Sequence, residues 1–398
     1  MDMKKFGPMK VNIVRVGIGI LAGTIIILGL VMWAADSWEK VQQNITGVSK
    51  EKAQLVKQLA SINSQLTAVK NEDQYVKNTK LSRDIGNIET TYRTAVSVYE
   101  ELLALKDVSK NTTKQDEAFA DILTLLSKRD YTAASAALTA LKTVIASERQ
   151  KIAAAFVIPA SVAASNTPPG SGYSRQTVTS DAGTNMVDVI AGDLSTTRVI
   201  VDTASNESCG NDCPVLSLSD YVSRNGAYAG INGAYFCPAD YPSCAGKKNS
   251  FDTLLMNKNK VYFNSDNNKY SVVPAVIFGS GFIRFVGQSL EWGRDTGIDS
   301  MIANQPLLLS GGNVSFGGND DPKMGSMGTR SFVASKGNTV YIGVVHNVSV
   351  AGMARVLKSL GMENALNLDS GGSVALWSGG YKAGPGRNIP NAILFVRK

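Results

Sequence analysis

A proline- and glycine-rich segment divides this chain into two parts with different sequence patterns. The segment, Pro159 to Ser174, contains Asn166-Thr-Pro-Pro-Gly-Ser-Gly172, whose small, turn-forming residues predict a linker. Before it, apolar residues recur at helical spacing, whereas after it short β-branched runs alternate with glycine and asparagine. The predicted fold class is α+β: a mixed, mostly β domain with a few packed helices, preceded by a helical region.

The N-terminal region contains an uncharged run of twenty residues, Val16 to Ala35. As a helix, this run would be about 30 Å long, which matches the hydrocarbon core of a bilayer. Four basic residues precede the run and two acidic residues follow it: Lys4, Lys5, Lys10, Arg15, Asp36 and Glu39. This charge bias predicts a transmembrane helix in a single-pass cell-membrane protein, with a cytoplasmic N-terminus and an extracellular C-terminal domain. A cleaved signal peptide is the alternative, but no small-x-small cleavage site is evident before Asp36.

Beyond that run, apolar residues are spaced alternately by four and three positions: Val41, Ile45, Val48, Leu55, Leu59, Ile62, Leu66, Val69 and Val76. Lys52 and Asp73 interrupt the stripe. The spacing predicts a coiled-coil seam of about five heptads, and therefore a homo-oligomer. The alternative is one amphipathic helix that packs on its own downstream bundle. A second apolar stripe, from Phe119 to Ile145, predicts a helical hairpin.

These patterns predict five regions along the chain. They are a cytoplasmic tail (1–15), a transmembrane helix (16–35), an α-helical coiled-coil and hairpin stalk (36–156), a linker (157–172) and the outer domain (173–398). Within the outer domain, six runs alternate as strands do: Met186–Ile190, Arg198–Val201, Val272–Phe278, Ser331–Ala334, Val340–Val345 and Ala392–Val396. Ser217–Arg224 and Ser349–Leu360 are predicted helices, and Gly361 is a natural stop for the second.

All four cysteines lie in one short window of the outer domain: Cys209, Cys213, Cys237 and Cys244. In an oxidising compartment, four such thiols predict two disulfides. The local pairs Cys209–Cys213 and Cys237–Cys244 are favoured among the three pairings because they close the shortest loops. A zinc site is the rival, but the closely spaced cysteine pairs of a zinc knuckle are missing.

The net charge of +7 is mild, and the lysines are scattered along the chain. Such a distribution does not favour nucleic acid as a partner. It permits a weak attraction to anionic polymers, including phosphate-bearing glycans.

Three loops of the outer domain place a polar residue beside glycines after an apolar run. They are Gly230-Ile-Asn232-Gly233-Ala-Tyr-Phe236, Gly328-Thr-Arg330-Ser331 and Leu366-Asn-Leu-Asp369-Ser-Gly371-Gly372-Ser373. Glycines beside an acid let the backbone approach a ligand and can turn amide N–H groups towards an anion. A tight turn capped by Asn or Asp would explain any one of these loops alone.

Together and in this order, these loops resemble the phosphodiester glycosidase family, which includes exopolysaccharide-associated bacterial relatives. The resemblance covers Val187 to Val396. It extends to Asn304-Gln-Pro306-Leu-Leu-Leu before Gly311-Gly312, to the helix ending at Leu360-Gly361, and to Arg387-Asn-Ile-Pro-Asn391-Ala392. The vertebrate members uncover mannose 6-phosphate by removing N-acetylglucosamine from a phosphodiester. This chain departs at Ala234 and Ser370, where the family more often has Gly, and at Gly328, where Pro is more usual.

The resemblance implies a pocket in which a carboxylate faces an oxocarbenium-like centre while cations and amides hold the phosphate. Asp369 is the candidate nucleophile or base, and Arg330 and Arg387 are candidates for the phosphate because a guanidinium matches its oxygens. We expect Gly371, Gly372 and Ser373 to add donors. Asn232 and Asn391 would hold sugar hydroxyls or orient Asp369, and His346 is a further candidate for the cleft.

Several alternatives stay open at the level of sequence. A second catalytic carboxylate could be Asp252 or Asp299. A serine-hydrolase triad of Ser373, His346 and Asp369 is disfavoured because Ser373 lacks the Gly-x-Ser-x-Gly context. No cofactor is expected, although the Asn and Asp residues at 264–268 and 319–321 leave a structural calcium ion open.

The function predicted from these observations is a membrane-anchored extracellular hydrolase. It would cleave the bond between a sugar anomeric carbon and phosphate in a phosphodiester-linked glycan. The alternative is a non-catalytic phosphoglycan-binding module displayed on a coiled-coil stalk, which would gain avidity from oligomerisation.

Overall fold

The computed structural model describes residues 13–264, 272–295 and 297–398, with side chains from Gly23 onward except that of Asp73. The described chain separates into two compact units, Met1–Asn87 and Ile88–Lys398. The helices are α1 (Ile13–Asn71), α2 (Asp73–Lys106), α3 (Thr113–Ser127), α4 (Tyr131–Ala154), α5 (Leu218–Asn225), α6 (Pro322–Gly325) and α7 (Val350–Ser359).

The first unit contains α1 and the first part of α2. The predicted seam lies on α1 as expected for a helix, and its apolar side chains are exposed in the single chain, including Leu55, Leu59 and Ile62. Exposed apolar residues at heptad spacing are compatible with a coiled coil, but the structure contains one chain. The coiled coil and the homo-oligomer therefore stay predictions.

The predicted transmembrane helix at Val16–Ala35 needs correction. Among the residues that the structure describes, no helix has an apolar stretch long enough to cross a membrane.

The fold prediction is therefore wrong in its preceding transmembrane helix, and so is the single-pass membrane localisation that depended on it. The predicted cytoplasmic tail lies almost wholly outside the described residues, as do the side chains at positions 16–22. The α+β part of the fold prediction is correct.

The second unit begins with a small helical bundle, made by α2 from Ile88 onward together with α3 and α4. The bundle has its own apolar core, built from Val98, Leu102, Leu105, Ile122, Leu126, Leu138, Leu141 and Ile145. The Asp130 carboxylate begins α4 by accepting a hydrogen bond from the Ala133 amide at 3.0 Å. The predicted helical hairpin is thus α3 and α4. We call Ile88–Phe156 the helical module.

The rest of the second unit is strand-rich. Its strands are β1 (Gly172–Ser180), β2 (Gly183–Asp193), β3 (Thr197–Thr203), β4 (Ala229–Asn232), β5 (Leu255–Met256), β6 (Tyr262–Phe263), β7 (Ala275–Gly279), β8 (Phe282–Val286), β9 (Ser300–Ala303), β10 (Leu307–Ser310), β11 (Asn313–Val314), β12 (Gly328–Lys336), β13 (Thr339–Val348), β14 (Asn364–Asn367), β15 (Leu376–Ser378), β16 (Tyr381–Ala383) and β17 (Asn391–Arg397). Five of the six predicted strands lie inside observed strands. The sixth begins later than predicted, at Ala275 after Pro274.

The strands form three antiparallel sheets. Their orders are β1-β2-β13-β12-β14-β10-β11, β16-β15-β4-β17-β3 and β6-β5-β9-β7-β8. Side chains of the first two sheets meet in the main core, which contains Val333, Ile342, Ile231 and Ile393. This packing brings the ends of β4, β12, β14 and β17 together, and the predicted site loops lie there.

Helices cover the outer faces of these sheets. Helix α7 begins where the Ser349 hydroxyl accepts a hydrogen bond from the Gly352 amide at 3.1 Å, and it buries Met353 and Leu357 against the first sheet. It ends before Gly361, whose φ of +77° suits glycine at a helix stop. Both helices predicted in the outer domain are present, and the disulfides are Cys209–Cys213 and Cys237–Cys244 as predicted.

Candidate active site

Four buried asparagines connect the strand ends beneath the site. They are Asn232 at the end of β4, Asn304 after β9, Asn367 at the end of β14 and Asn391 at the start of β17, and each is at most 1% exposed. Burying an amide side chain costs free energy unless the amide is hydrogen-bonded, so four buried asparagines at one place indicate hydrogen bonds that link the strand ends. We call these four residues the asparagine floor.

Asn232 holds the loop that carries Asp369. Its amide nitrogen donates to the Asp369 carbonyl oxygen at 2.7 Å. Its side-chain oxygen accepts from the Ser331 hydroxyl at 2.9 Å and from the Ala375 amide at 3.2 Å. Asn232 is therefore placed to position Asp369, which was one of its two predicted roles.

The other floor residues act on the loop after β4. The Asn391 oxygen accepts from the Ala234 amide at 2.8 Å, and Gly233 lies so close that a Cβ there would overlap this oxygen. Asn304 accepts from the Tyr235 amide at 3.1 Å and donates to the Asn367 carbonyl oxygen at 2.8 Å. Glycine at position 233 is thus required by close packing and not by an unusual φ angle.

Asp369 lies above the floor and is partly accessible. Its amide donates to the Gly233 carbonyl oxygen at 3.0 Å, and its carboxylate accepts from the Ser370 amide at 2.9 Å. Burial raises the pKa of Asp369 to about 6, and the Asp252 carboxylate adds to the rise, while Ser373 and Arg387 partly offset it. A carboxylate whose pKa is raised in this way is typical of functional sites, and it is still mostly ionised at pH 7.

Arg387 lies beside the glycine turn that follows Asp369. The Arg387 amide donates to the Gly372 carbonyl oxygen at 2.7 Å, and Gly371 adopts a φ of +66° that favours glycine. One guanidinium nitrogen, Nη2, pairs with Asp107 at 2.8 Å, whereas the buried Nη1 has no hydrogen-bond partner among the described residues. Arg387 therefore keeps one donor that no described residue uses, and this donor is buried.

Arg330 differs, because its guanidinium is already used by the protein. It is 8% exposed and donates to the carbonyl oxygens of Lys323 at 2.7 Å and Ser326 at 2.5 Å, and through Nε to that of Val348 at 3.3 Å. Burial lowers the pKa of Arg330. These bonds hold the loop around α6 in place, so the geometry favours a positioning role over the predicted direct contact with phosphate.

The comparisons with known proteins agree with the family prediction. Residues 225–396 match the model of a family described as phosphodiester glycosidase. This chain carries a phosphodiester glycosidase domain.

Two solved structures resemble the chain at low identity. One is the zebrafish N-acetylglucosamine-1-phosphodiester alpha-N-acetylglucosaminidase catalytic domain, auto-inhibited by pro-peptide, at 15% identity and a TM-score of 0.45, covering 60% of this chain and 87% of that one. The other is a hypothetical protein from Synechocystis at 12% identity and a TM-score of 0.41, covering 56% of this chain and 62% of that one, which is less than two thirds of its length. A search of curated proteins finds no match.

The hydrogen-bond partner of His346 is Asp188 and not Asp369. Its Nε2 lies 2.7 Å from the fully buried Asp188 carboxylate, which also accepts hydrogen bonds from Tyr173 at 2.6 Å and Arg175 at 2.7 Å. The ring of Phe156 is stacked on the imidazole at a centroid distance of 6.1 Å. His346 thus has a carboxylate partner of its own, which argues against the triad of Ser373, His346 and Asp369.

The two candidates for a second carboxylate are in different places. Asp299 pairs with Arg198 at 2.7 Å, whereas Asp252 donates its amide to the Tyr235 carbonyl oxygen at 3.1 Å, next to the floor. Desolvation of the Asp252 carboxyl group raises its pKa, and the charges of Lys247 and Lys323 partly offset the rise. Only Asp252 is electrostatically coupled to Asp369.

Sequence reasoning missed Tyr235, Tyr241 and Lys323. The Tyr235 hydroxyl accepts from Asn367 at 2.6 Å, and burial together with the Asp369 charge raises its pKa. Tyr241, in the loop closed by Cys237–Cys244, has Lys323 Nζ and the Arg387 guanidinium each 5.6 Å from its ring centroid. The disulfide that encloses an aromatic residue was the only sequence signal for this wall of the site.

The structure gives no support for a metal centre in the parts it describes. Among the described residues, no group of three or more His, Cys, Asp or Glu side chains could hold a metal ion. In the segment 319–321, the Asp321 carboxylate instead caps α6 by accepting from the Lys323 amide at 2.8 Å. Positions 265–268 of the other calcium candidate lie outside the described residues, so that prediction stays open.

Proposed function

We propose that this domain hydrolyses the bond between a sugar anomeric carbon and phosphate in a phosphodiester-linked glycan. The observation that carries the proposal is the position of Asp369. Asp369 is a partly exposed residue on a glycine turn beside Arg387, whose buried Nη1 is unpartnered within the described residues. In this arrangement Asp369 places a negative charge beside the sugar, and Arg387 places a positive charge beside the phosphate, so that the bond to be broken lies between them.

Asp369 acts as the nucleophile or as the base for water. With a pKa of about 6 it is mostly ionised at pH 7, which suits either role better than that of a general acid. The departing group is a phosphate ester, which already carries negative charge and leaves readily. A strong general acid is therefore less necessary than in ordinary glycoside hydrolysis, and Asp252 is the available group where protonation is needed.

Arg387 and Lys323, which both lie near the Tyr241 ring, stabilise the phosphate. A guanidinium and an ammonium group near an aromatic ring form a cationic surface at which an anionic ester can bind while the sugar packs on the ring. Ser373 and the amides of Gly371 and Gly372 add donors. Asn232, Asn391 and Arg330 contribute by positioning, because their polar groups hold backbone atoms of the site loops.

The test is release of free sugar from a panel of sugar-1-phosphate diesters by the full-length chain. We expect Asp369→Asn to lower kcat/KM by at least about 100-fold, because an amide is neither a nucleophile nor a base. The matched control is Asp181→Asn, an exposed acid in the turn between β1 and β2 that leaves the site untouched. For the wild-type chain, kcat/KM should fall as the pH is lowered through about 6, where Asp369 becomes protonated.

Unchanged sugar release by Asp369→Asn would refute the assignment of Asp369. Binding of the diesters without release, surviving the substitution, would favour the non-catalytic phosphoglycan-binding module instead. Isothermal titration calorimetry with the same panel distinguishes these outcomes.

A further inference from the structure

The helical module contacts the loops that surround the candidate site. Two contacts reach the end of β13, from the Ala153 carbonyl oxygen to Asn347 Nδ2 (2.9 Å) and from Phe156 to His346 (6.1 Å between ring centroids). Three contacts reach the site loops: Glu100 Oε1 with the Ser243 amide (3.1 Å), Asp107 Oδ2 with Arg387 Nη2 (2.8 Å), and Arg149 Nη2 with Ser326 Oγ (3.5 Å). These loops include the disulfide loop with Tyr241 and the α6 loop that Arg330 holds. The module is therefore part of the site's surroundings and not a remote stalk.

Asp107 makes the most direct of these contacts. It follows the last residue of α2, and Glu100 precedes it by two helical turns on the same face. The Asp107 carboxylate pairs with Arg387, and it lies so close to Gly372 that a Cβ on this glycine would come within 2.3 Å of Asp107 Oδ2. A carboxylate thus reaches the glycine turn directly after Asp369.

The position of this carboxylate is unusual for a hydrolase site that handles anions. The buried Nη1 of Arg387 has no hydrogen-bond partner among the described residues, and the Arg387 side chain as a whole is 19% exposed. A carboxylate and a phosphate present similar oxygen pairs to an arginine. Asp107 therefore contacts Arg387 as an anionic ligand would.

We propose that Asp107 is an internal ligand of the anion subsite formed by Arg387 and the Gly371–Gly372 turn, and that it competes with phosphate for this subsite. The inference rests on the proposed function, in which Arg387 holds the phosphate ester. A phosphate on Arg387 meets a like charge on Asp107, so its binding requires the carboxylate to move away. The helical module thereby sets the affinity of the site for anions.

The magnitude follows from the exposure of the pair. Asp107 and Arg387 have side chains 29% and 19% exposed, so solvent screens their interaction in part. Removing the competing charge should therefore tighten phosphate binding by about 3- to 10-fold, and the gain should shrink at high salt.

The experiment measures binding of inorganic phosphate to the full-length chain by isothermal titration calorimetry at low ionic strength. Asp107→Asn should lower Kd by the stated factor, and Asp107→Ser should do the same. Asp121→Asn is the matched control, because Asp121 is an exposed acid on α3 of the same module. Arg387→Gln should abolish the binding in both the wild-type and the Asp107→Asn background. Thermal unfolding midpoints of all variants check that each is folded.

An unchanged or weaker affinity in both Asp107 variants would overturn the inference, and so would phosphate binding that does not depend on Arg387. The experiment is separable from the proposed reaction because it needs no turnover. Competition without sugar release would leave the inference standing and remove the hydrolase proposal. Sugar release, together with an unaltered phosphate affinity in the Asp107 variants, would keep the hydrolase proposal and remove the inference about Asp107.

Discussion

The floor and the rim of the candidate site are built in opposite ways. In the floor, Asn232 and Asn304 each use both ends of the amide to bind backbone or hydroxyl groups from different strands. At the rim, Tyr241 and Arg387 come from loops and Lys323 from the short helix α6, and both cations lie 5.6 Å from the centroid of the Tyr241 ring. The floor therefore fixes geometry, whereas the rim determines which ligand enters. Arg330 and Arg387 are both predicted from sequence to bind phosphate, but Arg330 positions a loop as the floor residues do, whereas Arg387 belongs to the rim.

The largest effect should come from breaking the floor. Asn232→Ala leaves the Asp369 carbonyl oxygen, the Ser331 hydroxyl and the Ala375 amide without their partner. Loss of several buried hydrogen bonds should lower the free energy of unfolding by about 3 kcal/mol, as measured by urea denaturation. Asn313→Ala, which removes an exposed side chain at the start of β11, is the control and should change the free energy of unfolding by less than about 0.5 kcal/mol. A small effect of Asn232→Ala would mean that the floor is not structural.

The two arginines should separate the floor from the rim. Arg330→Gln removes charge-assisted bonds to the carbonyl oxygens of Lys323 and Ser326, and should lower the free energy of unfolding by about 2 kcal/mol. Arg387→Gln should lower kcat/KM on a sugar-1-phosphodiester by about 100-fold, while the unfolding free energy changes by less than about 1 kcal/mol. The comparison fails if both variants lose stability equally, or if Arg330→Gln affects only kinetics.

The smallest effect concerns Asp369 and stability. Because its folded-state pKa is raised to about 6, above the usual value near 4, the folded protein holds this proton more tightly than the unfolded chain does. Ionised Asp369 therefore lowers the free energy of unfolding, and this loss is absent below about pH 4 and complete above about pH 6. Asp369→Asn should raise the free energy of unfolding by about 1 kcal/mol at pH 7, and this gain should vanish at pH 4. Urea denaturation at both values checks it, and a gain of the same size at pH 4 would contradict it.

Much of the fold could be predicted from local sequence. Helix α7 with its Ser349 cap and Gly361 stop, and the two disulfides, depend on interactions between residues close in the chain. The strands of the outer domain pair over long distances, but their alternating pattern is local and so could be recognised. The motif loops were also identified, since glycines beside Asn232 and Asp369 mark close backbone approaches. The membrane helix was the main error, because no helix among the described residues is long and apolar enough to cross a membrane.

The sequence by itself determined the family of the domain, its secondary structure and the residue types at the site. Only the tertiary structure decided their roles: Arg330 binds the Val348 carbonyl oxygen on the neighbouring strand β13, and Arg387 is paired with Asp107 across 280 positions. The physical reason is that the availability of a charged group depends on every neighbour that packs around it. Contacts between residues so far apart follow from how sheets and helices pack, and no local pattern specifies them.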